Sequence, residues 1–270
     1  MRDRRITPAT SRIAHESLRG IVDAPAFTKG DARQVSAPLV DLLAQPQGGR
    51  DRQLVMGDGF TVIDRDSHYA FGMSAKDGYC GWVPRETLEP ALPQTHWLAV
   101  PASHLYPEPR VQSRPIAALT MGARLTVIGE QGQWAETTKG FIWADHLRAL
   151  DAWMADPVAV AERFLGTPYV WGGNSRDGID CSGLVQIAQL ACGRPCPGDS
   201  DLQQSLGHEV EGPLQRGDLL FWKGHVAMAM DERRIIHATG AFMATVIEDT
   251  EVALQRIEAA GYPLLSQRRP

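Results

Sequence analysis

The sequence predicts an α+β domain at its C-terminal end, preceded by two small all-β barrels. Three observations predict it. A glycine-rich segment runs into a capped helix at residue 181, two apolar strand-length runs end or begin on His225 and His237, and short β patterns repeat between residues about 35 and 148.

The chain has 270 residues, 43% of them hydrophobic, enough for two or three separate cores. A net charge of -5 gives no electrostatic case for nucleic acid or an anionic membrane as partner. Met1 to Gly20 is polar and charged without an apolar leader core, and no run approaches membrane-spanning length, so a cytoplasmic protein is expected. The four cysteines form no disulfide framework, which suits a reducing compartment.

Residues 1–34 are expected to be an arm, with mixed helical signals from Ser11 to Val22. The repeat follows. Met56-Gly57-Asp58-Gly59-Phe60-Thr61-Val62-Ile63 returns as Met121-Gly122-Ala123-Arg124-Leu125-Thr126-Val127-Ile128, and Gly81-Trp82-Val83 with Leu88 returns as Gly140-Phe141-Ile142 with Leu147. Gly, Asp and Pro separate short strands in each copy, the pattern of a small barrel. Pro90, Pro93 and Pro101 mark the boundary, giving barrels at 35–90 and 91–150 and a last domain at 151–270. That domain opens on a helix capped by Asp156 with Pro157 in its first position.

The chemistry concentrates at Cys181. Asp180 is a good N-cap, Leu184, Val185, Ile187, Ala188 and Leu190 form the apolar stripe, and Gly193 is the stop. Cys181 then stands at the first helical position, where the backbone dipole favours thiolate over thiol. Two histidines offer a proton acceptor. His225 opens one strand-length run and His237 closes the next, with Asp231-Glu232 as the turn between them. A hairpin centred there places residues summing to about 462 to 463 opposite each other, which makes the two imidazoles cross-strand neighbours. Cys181 is expected as nucleophile, His225 as base, and His237 as the group that orients His225. A cysteine at a helix start is more often a packing residue than a nucleophile, and a strand histidine more often a satisfied core group. The conjunction decides for catalysis. Cys181, His225 and His237 lack the paired spacing of zinc modules, so neither a metal nor another cofactor is expected.

Residues 157 to about 240 resemble the NlpC family of papain-like cysteine peptidases. The resemblance is carried by Gly166-Thr167-Pro168-Tyr169-Val170-Trp171-Gly172-Gly173, by Asp180-Cys181-Ser182-Gly183-Leu184-Val185-Gln186, by Arg216-Gly217-Asp218-Leu219-Leu220-Phe221-Trp222, and by His225-Val226 and Ile236-His237-Ala238. It implies a papain-like fold for the last domain and puts the family's nucleophile, base and third polar residue on Cys181, His225 and His237. The repeat resembles a tandem of bacterial SH3-like barrels, which often precede this domain. Members so arranged resemble γ-D-glutamyl-L-diamino acid endopeptidases, which cut cell-wall peptides after a free N-terminal L-Ala-γ-D-Glu. The resemblance therefore implies that Tyr169, Trp171, Asp180 and Ser182 bind the dipeptide, with Asp199 and Ser200 as a second polar pair. It also implies first-barrel contacts, assigned to Tyr79 and to Asp41. Gly198 stands where an arginine is common and Ala227 where glycine is common. An inactive binding module, or an amidase or acyltransferase using the same three residues, is the alternative. The third residue of the substrate, diaminopimelate or lysine, and the oligomeric state are left open.

Overall fold

The computed structural model describes residues 2–270 and divides into two compact units, one ending at Leu150 and one beginning at Asp151. Many strands and few helices fit the α+β expectation.

In the first unit, one antiparallel sheet among the described residues takes its strands in the order 50–55, 39–43, 80–84, 69–74, 59–65, 31–35 and 88–90. Alternate residues of these strands meet in one core, in which Val35, Leu42, Leu54, Phe60 and Val83 are almost wholly buried. The segment 96–149 forms three smaller sheets around a second core built on Leu98, Leu105, Leu119, Leu125 and Ile142. Met56, from the first copy, packs into that second core, and the Arg124 amide donates to the Met56 carbonyl at 2.8 Å.

The repeat is written in hydrogen bonds as well as in residue types. The Met56 amide donates to the Pro38 carbonyl and the Met121 amide to the Pro101 carbonyl, both at 3.2 Å. The Gly57 amide donates to Val35 at 2.8 Å, and the Gly122 amide to Leu98 at 3.0 Å. Both glycines are left-handed, with φ of +83° and +91°, which is why each copy of the turn has glycine there. Each copy ends with one turn of 3₁₀ helix followed by a strand, and Val35 pairs with Leu88 as Leu98 pairs with Leu147.

The mixed helical signals around Ser11 to Val22 produce no α-helix. Ala14 and His15 instead pair in parallel with Phe27 and Thr28, and Glu16–Leu18 is a single 3₁₀ turn. The His15 ring accepts the Ser17 amide at 3.3 Å, a local bond that competes with helix formation, and Ala14 is fully buried. Ile13 packs on Ile63, Phe71 and Cys80, while Arg12 and Thr10 bond Asp64, so the arm follows the barrel surface.

The second unit carries a sheet whose strands run, in spatial order, 208–209, 266–269, 219–222, 225–229, 234–239 and 244–249. Helix α1 (Pro157–Glu162) is capped by Asp156, whose carboxylate accepts the Val158 amide at 2.9 Å. Helix α2 (Cys181–Ala191) packs against the strands 225–229 and 234–239. It ends as its sequence predicts: Gly193 has φ +72°, and the Gly193 and Arg194 amides donate to Leu190 and Gln189, each at 3.0 Å. A short helix α3 (Ser200–Gln203) and a longer α4 (Thr250–Ala259) complete the unit. Leu220, Trp222, Ala227, Ala229 and Ile235 of the sheet share one core with Ala253 and Ile257 of α4.

Candidate active site

Cys181 is the first residue of α2, and its cap is unusually well made. One oxygen of Asp180 accepts the Gly183 amide at 2.6 Å and the Ser182 hydroxyl at 3.1 Å. The other accepts the Gly172 amide at 2.9 Å, tying the glycine-rich approach to the helix start. The Asp180 carboxylate is thus held by two backbone amides and one hydroxyl at the helix start. Cys181 is 5% exposed, and both its chain neighbours are buried polar residues.

His225 opens the strand on which α2 packs. Its Nε2 lies 2.9 Å from Nδ1 of His237, with ring centroids 5.1 Å apart. The hairpin register differs from the expected one. Met228 pairs with Ile236 and Ala229 with Ile235, so paired numbers sum to 464, and the two histidines are diagonal neighbours on one face. The slip has a cause in the turn. The Asp231 carboxylate accepts the amides of both Arg233 and Arg234 at 2.9 Å, which widens the loop beyond the two residues Asp231-Glu232.

The diagonal continues onto a strand that sequence reasoning did not identify. His237 pairs with Val246, and Glu248, two residues on, shares that face. Glu248 Oε2 is 3.1 Å from His237 Nε2, and Arg256 of α4 grips the carboxylate through Nε at 2.9 Å and Nη2 at 2.7 Å. The alternation of Val246 and Glu248 on a strand beside His237 was the available signal. Trp222 was read only as part of a motif, but it is fully buried and its ring lies 5.6 Å from that of His225.

Electrostatics keep both rings neutral. Burial, with smaller contributions from His237 and Arg256, pushes His225 down to about 3. Burial pushes His237 down to about 4 against the opposing pull of Glu248. His225 is thus an uncharged imidazole with a lone pair on one ring nitrogen. Burial raises the Cys80 thiol to about 12, and Cys192 is also raised by burial, so neither has the character of a nucleophile.

The remaining expected residues fall as follows. Tyr169 is half-buried and Trp171 is 69% exposed, on the approach to α2. Ser200 is buried and Asp199 half-buried at the start of α3, where the Asp199 side chain makes no capping bond. The fully buried Gln203 donates to the Ser182 carbonyl at 2.9 Å and the Pro197 carbonyl at 3.0 Å, so this loop is fastened to the beginning of α2. Tyr79 and Asp41 belong to the first unit. Tyr79 is buried in its core, and Asp41 is held by Arg50 at 2.7 Å and Gln53 at 2.9 Å. Among the described residues no cluster of three or more His, Cys, Asp or Glu side chains is arranged to hold a metal ion, and no helix is long and apolar enough to cross a membrane.

Residues 166–255 match the NlpC/P60 family, and residues 42–88 match the bacterial dipeptidyl-peptidase Sh3 domain. The chain is 26% identical over 230 residues to a gamma-D-glutamyl-L-lysine dipeptidyl-peptidase of Bacillus cereus, an alignment covering 71% of this chain and 68% of that protein. It is 31% identical over 151 residues to dipeptidyl-peptidase 6 of Lysinibacillus sphaericus, covering 49% of this chain and 56% of the relative. A crystal structure of an NlpC/P60 family protein from Bacillus cereus shares the fold, with a TM-score of 0.74 at 20% identity over 88% of this chain and 99% of that one. The chain therefore carries an NlpC/P60 domain of papain-like fold, preceded by an SH3-like domain of the bacterial dipeptidyl-peptidase type.

Proposed function

We propose that this protein is a cysteine peptidase that hydrolyses the γ-D-Glu–diamino acid bond of peptidoglycan-derived peptides bearing a free N-terminal L-Ala. The observation that carries the reading is the pairing of a cysteine at a capped helix start with a hydrogen-bonded histidine pair on the strands beneath that helix. The names of the relatives, a gamma-D-glutamyl-L-lysine dipeptidyl-peptidase and a dipeptidyl-peptidase 6, supply the substrate class. The domains are 1–34, 35–90, 91–150 and 151–270, the last carrying the chemistry.

In this reading His225 takes the Cys181 proton, and the thiolate attacks the carbonyl carbon of the γ-amide. The S–C bond forms, the C–N bond breaks, and imidazolium His225 returns its proton to the leaving amine. Water, deprotonated by His225, then releases L-Ala-γ-D-Glu and restores the thiol. Backbone amides at the start of α2 face the developing oxyanion. Trp171 and Tyr169 wall the cleft, while Asp180, Ser182, Asp199 and Ser200 receive the dipeptide and its ammonium group.

The test is incubation with L-Ala-γ-D-Glu-diaminopimelate and with its lysine counterpart. Release of L-Ala-γ-D-Glu that disappears in Cys181→Ala supports the assignment; no release from either peptide, or release that survives the substitution, refutes it. Acetylating the substrate's amine is expected to stop turnover.

A further inference from the structure

We propose that Glu248 is a positioning residue that sets the tautomer of both histidines, so that the relay runs Glu248, His237, His225. The inference rests on the reading of Cys181 and His225 as nucleophile and base, but it concerns which nitrogen of each ring carries hydrogen.

The chain of bonds leaves one solution for two neutral rings. An ionised carboxylate only accepts hydrogen bonds. With Glu248 Oε2 3.1 Å from His237 Nε2, that nitrogen must donate. A neutral His237 then has its lone pair on Nδ1, so His225 Nε2, 2.9 Å away, must also donate. His225 is left with a bare Nδ1, the nitrogen free to take a proton. The opposite tautomer of His237 sets a lone pair against the carboxylate and hands His225 a hydrogen at Nε2, which moves the His225 hydrogen to Nδ1 and blocks it as a base. The arrangement depends on Glu248 being charged. Burial opposes that charge, but the two bonds from Arg256 prevail and hold Glu248 below its ordinary range. The side chains of His237 and Glu248 are 0% and 10% exposed, so water does not compete for these bonds.

A second feature ties α4 to the same group. The Arg256 guanidinium lies 5.3 Å from the centre of the Phe242 ring, on the turn whose Met243 carbonyl accepts the Tyr169 amide at 2.9 Å. The residue that holds Glu248 charged is therefore itself braced by the loop beside the substrate-facing segment.

The experiment is nitrogen NMR of ¹⁵N-histidine-labelled protein, run on Cys181→Ala so that the spectrum is independent of whether the chain cleaves any peptide. The unaltered Glu248 is expected to give neutral rings with hydrogen on Nε2 at both His237 and His225. In Glu248→Gln an NH₂ group replaces one oxygen of a carboxylate whose Oε2 serves both His237 Nε2 and Arg256 Nη2, so the Nε2–H form is expected to lose its exclusive hold and Nδ1–H to appear at both rings. With Cys181 present, Glu248→Gln is expected to lower kcat roughly 100-fold with KM within about twofold. A charged or Nδ1-protonated His237 in the Glu248 protein overturns the proposal, and that spectrum decides the matter even if Glu248→Gln does not fold. Rings held wholly on Nε2–H together with an unchanged kcat in a folded Glu248→Gln protein overturn it as well.

Discussion

The Gly183 amide donates to the Asp180 carboxylate at 2.6 Å, so the acid adjoining the candidate nucleophile is part of the helix cap. Asp180 also receives the Gly172 amide and the Ser182 hydroxyl. This one side chain converts a glycine-rich approach and a helix start into a single rigid unit. The position of Cys181 follows from it.

Asp180→Ala is therefore expected to cost about 2–4 kcal/mol, since a cap is worth about 1 kcal/mol and buried donors are left unpaired as well. Asp180→Asn, which keeps an acceptor oxygen, is expected to cost about half as much. Urea denaturation of the two variants beside the parent checks the order. Equal stability of Asp180→Ala and the parent contradicts the cap.

Gly57 and Gly122 occupy the same turn of the two repeat copies, but their substitutions are expected to differ. A Cβ at Gly122 meets no heavy atom within 4 Å, so Gly122→Ala bears only the left-handed backbone strain, about 1 kcal/mol. A Cβ at Gly57 stands 2.4 Å from the Arg124 carbonyl oxygen, which is backbone and cannot swing aside. Gly57→Ala is expected to lose at least about twice as much, read as a larger fall in thermal midpoint.

Acid stability is the third expectation. The folded protein holds His237 down at about 4, below its ordinary 6.5, so the unfolded chain binds the proton more readily between those values. The stabilisation is complete above pH 6.5 and is lost as pH falls toward 4, on the order of 3 kcal/mol in total. Thermal midpoints measured from pH 7.5 down to 4.5 are expected to fall more steeply for the parent than for His237→Asn. Parallel curves contradict a buried neutral imidazole.

Much of this site was legible in the sequence because its signals are local. The Asp180 cap, the α2 stripe and the Gly193 stop lie within fourteen consecutive residues, and the structure forms that helix over Cys181–Ala191. What the sequence did not disclose depends on register and distance. The turn at Asp231 carries one more residue than expected because its carboxylate binds two backbone amides, and this shifts the histidines from facing to diagonal. Glu248 alternates with Val246 on the strand beside His237, but which strand pairs with which, and that Arg256 of α4 reaches the same carboxylate, depend on long-range packing that local patterns do not show. The helical signals of Ser11 to Val22 yielded to a surface that holds Ala14 and Ile13 against the first barrel.

Alkylation of the thiols across pH tests the central claim most directly. With iodoacetamide at pH 5.5 to 6.5, Cys181 is expected to be modified first, while Cys80 and Cys192 stay unmodified, and His225→Ala is expected to slow the Cys181 reaction at least about tenfold. Reaction at Cys181 only above about pH 8, as for an ordinary thiol, or a rate unaffected by removing His225, contradicts a nucleophile activated by that imidazole.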